Sequence, residues 1–150
     1  MTTSHTHLLE PIPGDNPGGS DISFSEAYDE IREARRQDDP SLAQGEWETS
    51  LKVAQWPRVK ALSEAILSEQ SKDIQVAAWY TEAMARLSGF AGLAAGLQVL
   101  DSIVNDFWEF AYPAYDPDDL EERAGKIEWL NKQMPFVIRE IPLTTSASGG

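Results

Sequence analysis

Regular apolar spacing in this chain is helical, and no strand pattern competes with it, the β-branched residues being scattered. Nine prolines and ten glycines cut the helical stretches apart. Residues 1–22 hold Pro11, Pro13 and Pro17 with Gly14, Gly18 and Gly19, so this lead-in is expected to be extended, with a turn at Asn16-Pro17-Gly18-Gly19. Ser23 stands three residues before Glu26, the spacing of a capping box. Phe24, Tyr28, Ile31 and Arg35 then share one face of a first helix, which Pro40 ends with Asp39 as the exit.

Residues 41–55 carry a weaker signal, a helical turn or two between Glu46 and Ala54. Pro57 suits the first turn of a second helix, whose stripe is Val59, Leu62, Ile66 and Leu67. Ser71-Lys72-Asp73 starts a third, rich in alanine from Ile74 to Leu87, and Gly89 is placed to stop it. A fourth, from Phe90 to about Trp108, is apolar around much of its girth and is expected to be central. After the Tyr112-Pro113 and Asp116-Pro117 loop, a fifth begins near Asp118 or Asp119 and carries Leu120, Ala124, Ile127, Trp129, Leu130 and Met134. Pro135 is expected to interrupt or end it. The fold class is all-α: about five helices in an antiparallel bundle or stacked helical hairpins. Residues 1–22 form the irregular lead-in, 23–143 the helical domain and 144–150 a linker of small polar residues.

Composition narrows the function. The 150 residues are 41% apolar, with five Trp, five Phe and four Tyr, enough for one packed core. The net charge of −13 repels nucleic-acid phosphate and anionic lipid and favours basic partners. With no cysteine, disulfides, thiolate catalysis and Cys-based zinc sites are excluded. Met1 to Leu9 lacks the basic and apolar parts of a signal peptide. The longest apolar region, Phe90 to Leu100, falls short of the ~20 residues that span a bilayer. A soluble protein is expected.

Constellations that could carry chemistry are weak. The two histidines, His5 and His7, stand in a polar leader, expected to fray, with no neighbouring ligands for a metal. Gly14 to Gly19 lacks the Lys-Ser/Thr and the preceding strand of a phosphate loop. A calcium loop starting at Asp116 would need Gly where Glu121 stands and Glu where Ile127 stands. Asp116, Asp118, Asp119, Glu121 and Glu122 read instead as an acidic helix start that suits the helix dipole. Gly92 and Gly96, four apart, point to close packing against a neighbouring helix. Trp79 and Trp129 are expected in the core, whereas Trp47 and Trp56, beside loops and helix starts, are candidates for a protein interface. Arg35 and Arg36, followed by Asp38 and Asp39, are either a helix end with local ion pairs or a docking patch.

The first third of the chain, taken as one ordered block, and five later blocks resemble one family. Leu8 to Gly19 leads into Ser23 to Ile31, then Arg35-Arg36-Gln37-Asp38-Asp39-Pro40 and Gly45-Glu46-Trp47. Ser71 to Trp79, Gly89-Phe90-Ala91-Gly92-Leu93, Phe107-Trp108 with Tyr112-Pro113, Trp129-Leu130-Asn131 and Ile141-Pro142-Leu143 follow. Together, across residues 8–143, they resemble the N-terminal domain of the ImpA/TssA family of type VI secretion assembly proteins. The resemblance implies a non-enzymatic, cofactor-free, cytoplasmic docking domain for baseplate, inner-tube and sheath subunits of a contractile apparatus. It also implies that rings form through a further, C-terminal part. Two rivals stand beside it: a TPR-like adaptor or chaperone, and a hydrolase using carboxylates near Asp116.

Overall fold

The computed structural model describes residues 5–37 and 52–141. After a 3-10 turn at Thr6–Leu9 come four helices: α1 (Glu26–Arg35), α2 (Trp56–Glu69), α3 (Ile74–Asp106) and α4 (Glu121–Arg139). Among the described residues the only β pairing is two isolated bridges, so the expected all-α class holds.

The third and fourth expected helices are the two arms of α3. They meet at Gly89, whose φ of 63° and ψ of −141° lie outside the helical region and favour a residue without Cβ. The second arm doubles back along the first. A Cβ built on Gly96 would lie 2.6 Å from Thr81 Cα, and one on Gly92 would lie 2.0 Å from the Met84 carbonyl oxygen. The expected close approach of these glycines is therefore made within one helical hairpin. The hairpin also settles a second matter. As a string, α3 is long and apolar enough to cross a membrane, but each arm is shorter than the ~20 residues a span requires.

The first arm, and not the second, is central. Residues 71–83 are buried without a break, so Ile74, Ala77, Ala78, Trp79 and Tyr80 meet neighbours on all sides. Their partners are Tyr28, Ile31 and Ala34 of α1, Val59, Ile66 and Leu67 of α2, Val99, Leu100 and Ile103 of the second arm, and Leu130 of α4. The second arm buries one face and leaves the other in solvent, because no element packs outside it among the described residues.

Several boundaries differ from the sequence expectation for local reasons. Ser25, not Ser23, caps α1: its Oγ accepts the Tyr28 N–H, while the Ser23 N–H is taken by Asp21. Phe24 precedes the helix and is 97% exposed, so the apolar stripe is Tyr28, Ile31 and Ala34. The helix ends at Arg35, where Arg36 turns to extended backbone; Asp39 and Pro40 lie outside the described residues. Lys52 to Gln55 are not helical, and the rest of the weak 46–54 signal lies outside the described residues. Asp73 caps α3 as expected, accepting the Val76 N–H at 2.9 Å. Trp129 is half-buried against the core. Leu120 precedes α4 and is exposed, and α4 runs through Pro135 to Arg139. Pro135 and Asn131 are both exposed, so water can take the carbonyl that the missing N–H leaves free.

The lead-in packs as part of the body. Leu8, Ile12 and Ile22 are buried, and the turn at 16–19 closes through a Gly19 N–H to Asn16 carbonyl bond of 2.9 Å. Lys72 donates from its backbone to the Gly18 carbonyl, and Ser20 to that of Gln70. Around the same strip, the Tyr112 N–H donates to Lys72 and the Ile74 N–H to Tyr112, ahead of a cis Tyr112–Pro113 peptide. The His5–Leu9 segment is therefore no frayed tail: its 3-10 turn buries Leu8, and His5 Nε2 pairs with Gln98 Oε1 at 2.6 Å.

Candidate functional site

Arginine is placed unusually in this acidic molecule. Arg35 closes α1, Arg36 follows it, and Arg86 rises from the first arm of α3, four residues after Glu82. With Gln37, Trp56 of α2, Glu82 and Glu140, which follows α4, they line a cleft of about 370 Å³. Three of the six sequence candidates, Arg35, Arg36 and Trp56, thus come together. Asp38, Asp39 and Trp47 lie outside the described residues.

The three arginines are held differently. Arg35 makes a fork on Glu82, with Nε to Oε1 at 3.0 Å and Nη2 to Oε2 at 3.1 Å, and its guanidinium lies 4.9 Å from the centre of the Trp129 ring. Glu82 is only 2% exposed, so this fork ties α1 to α3 inside the body. Burial pushes the Glu82 carboxyl above the usual carboxylate range, and the nearby Arg35 and Arg86 charges pull against it. Arg36 is exposed and forks onto Glu33 at 3.1 Å. Arg86 reaches Glu140 through Nη1, stands 5.5 Å from the centre of the half-buried Trp56 ring, and has a buried Nε with no acceptor among the described residues.

A second hollow of about 290 Å³ adjoins the first, lined by Ala85, Leu87, Gly89, Val137 and Ile141 and sharing Arg86 and Glu140. The Arg86–Glu140 pair stands between a cleft lined mostly by charged side chains and a hollow lined mostly by apolar residues. Sequence reading missed Glu82, Arg86 and Glu140. The signal was present in the Glu82/Arg86 spacing of four residues inside an otherwise apolar helix.

A different surface lies on the second arm of α3. Gly92, Gly96, Val99 and Ile103 face inward, which leaves Phe90, Ala94 and Leu97 in solvent, with Phe90 45% and Leu97 44% exposed. The acidic run after it behaves as a helix start. Asp116 Oδ1 accepts the Asp118 N–H and Asp119 Oδ1 the Glu121 N–H. Among the described residues, no three metal-ligating side chains stand together.

Comparison with known proteins places this arrangement. The family model described as ImpA, N-terminal, type VI secretion system, matches residues 9–132. The chain belongs to the ImpA N-terminal family. Type VI secretion system component TssA1 of Pseudomonas aeruginosa is 29% identical over 147 residues, covering 95% of this chain and 42% of that protein. The chain thus spans less than half the length of that relative. Among solved structures, the N-terminal domain including the conserved ImpA_N region of the TssA component from Burkholderia cenocepacia matches with a TM-score of 0.80 and 33% identity. That match covers 99% of this chain and 54% of the other. The ImpA N-terminal reading of the six sequence blocks is correct.

Proposed function

We propose that this ImpA N-terminal domain is a non-enzymatic docking unit of a type VI secretion assembly factor, and that it binds baseplate, inner-tube or sheath subunits in the cytoplasm while the contractile apparatus is built. The observation that carries the reading is the solvent-facing row Phe90, Ala94 and Leu97 on a helix whose other face is fully packed. Two large apolar side chains so spaced are costly to leave in water, at roughly 25 cal/mol per Å² of apolar surface, and a partner surface would cover them. The helical unit at 23–143 would serve as the scaffold, with the lead-in packed on it and residues 144–150 as a linker.

The test is capture of purified baseplate, tube and sheath subunits by the full chain and by a Phe90→Ser, Leu97→Ser double variant. Both substituted positions are exposed, so the variant should keep its helicity and melting temperature. At least one subunit is expected to bind the wild type and to lose about tenfold or more in affinity to the variant. Failure of every subunit to bind, or equal binding by the variant, would refute the reading.

A further inference from the structure

We propose that the Arg86–Glu140 pair is a displaceable partition, and that the groove it divides receives a peptide segment of a partner protein carrying a carboxylate followed by an apolar side chain. The inference rests on the docking reading and names a second, chemically distinct contact for it. Three features point to this occupant.

First, the partition is weakly held on one side. The Glu140 side chain is 65% exposed and stands just beyond the last turn of α4, whereas the Arg86 side chain is 26% exposed and anchored in the central arm of α3. An ion pair with one partner so exposed is weak, so exchange of one carboxylate for another costs little. Second, Arg86 is under-satisfied where Arg35 is not. Glu82 takes both Nε and Nη2 of Arg35, but among the described residues the buried Arg86 Nε has no acceptor while Nη1 reaches Glu140. A ligand carboxylate that turned the guanidinium could bridge Nε and Nη2, the fork geometry Arg35 already shows. Third, the two chambers differ in kind. With Glu140 withdrawn, Arg35 and Arg86 share one carboxylate of the cleft lining, Glu82, beside Trp56. The adjoining hollow offers Leu87, Val137 and Ile141 to an apolar side chain.

The probe is a hexapeptide with one Asp-Leu step among serines and glycines, capped at both ends, with Asn-Leu and Asp-Ser peptides as controls. Binding to the full chain is followed by NMR through backbone amides and the arginine Nε–Hε signals. The Asp-Leu peptide is expected to shift the Arg86 Nε–Hε signal, and each control to bind about tenfold more weakly, the loss of one charge-assisted or apolar contact. Glu140→Gln should tighten binding severalfold by removing the internal competitor, and Arg86→Gln should abolish it. The proposal is overturned if the wild type does not bind, if Glu140→Gln leaves affinity unchanged or weaker, or if Arg86→Gln binds as well as wild type. Glu140 is exposed, so that variant does not depend on tolerance of the core. Subunit capture separates the two readings. If apparatus subunits still bind while the peptide does not, the groove falls and the docking reading stands.

Discussion

Four buried charged side chains set the chemistry of this core. Lys72 is fully buried, donates from Nζ to the Leu8 carbonyl at 2.6 Å and the Leu67 carbonyl at 3.0 Å, and lies 5.0 Å from the centre of the Phe107 ring. Burial lowers its pKa to about 8. Arg123 has no carboxylate partner among the described residues. It donates to the Pro113 carbonyl at 2.8 Å, the Ala111 carbonyl at 2.6 Å and that of Trp108, and so clamps the loop after α3 onto α4. Asp73 is raised to about 6 by burial, against the pull of its bond from Val76 and the charge of Lys126. Because 6 lies above the unfolded value of 3.8, the folded chain binds the extra proton between these pH values. The Asp73 contribution is full below about pH 4 and lost as pH rises through 6. Asp73→Asn keeps an acceptor at the cap and removes the titration. Its stability relative to wild type is expected to rise by up to ~3 kcal/mol from pH 4 to pH 7, read from urea midpoints by circular dichroism. A flat difference would show that Asp73 ionises normally. Glu82 gives a second measurement. Arg35→Met should cost about 3 kcal/mol by stranding a buried carboxylate, and adding Glu82→Met should recover most of it. No recovery would mean that Arg35 matters through its ring contact with Trp129. The start signal at Asp73 was legible in the sequence, but the burial of these four side chains was not. A lone lysine or arginine in a helical pattern reads as solvent-facing, and only the folded chain brings three carbonyls to Arg123.

At the scale of elements, the punctuation was the readable part. Pro57 lies in the first turn of α2, Asp73 caps α3 and Gly89 breaks it, each through a property confined to one residue and its neighbours. Misread features depended on what lay beyond the segment. Ser23 has the capping-box spacing to Glu26, yet its N–H is taken by Asp21 and the Tyr28 N–H goes to Ser25. Which arm of α3 is central could not be told from apolarity, because both arms are apolar and only packing assigns one to the middle. The glycines allow a paired prediction. Gly96→Ala would place a Cβ 2.6 Å from Thr81 Cα and should destabilise by about 1–3 kcal/mol through forced separation of the arms. Gly125, inside α4 with open space around it, should give the opposite sign: Gly125→Ala is expected to stabilise by roughly 0.5–1 kcal/mol. Thermal melts of both variants check the pair, and equal signs would contradict the contacts described.

For the whole molecule, the bridges Gly19–Ser71 and Asp73–Tyr112 bring the lead-in, the end of α2, the start of α3 and the loop after α3 into one region. The arginine cleft occupies the region where α1 ends, α2 begins and α4 ends. The lead-in belongs to the first region and contributes Leu8, Ile12 and Ile22 to the interior. Burying each is worth about 1.5–3 kcal/mol, so together they rival the ~5–15 kcal/mol total of a typical domain. A chain starting at Ser23 is expected to lose its cooperative melt and its dispersed NMR spectrum, since Lys72 would also lose the Leu8 carbonyl. A sharp melt at the wild-type temperature would show the lead-in to be dispensable. The folded-back α3 has a consequence of another kind. Adding or deleting one residue between Gly89 and Gly96 would rotate the far part of that arm by about 100°. Leucine or alanine would then meet Thr81 where only hydrogen fits. Length changes should therefore be barred from this stretch during divergence, while substitutions on its outer side remain free to alter what it recognises.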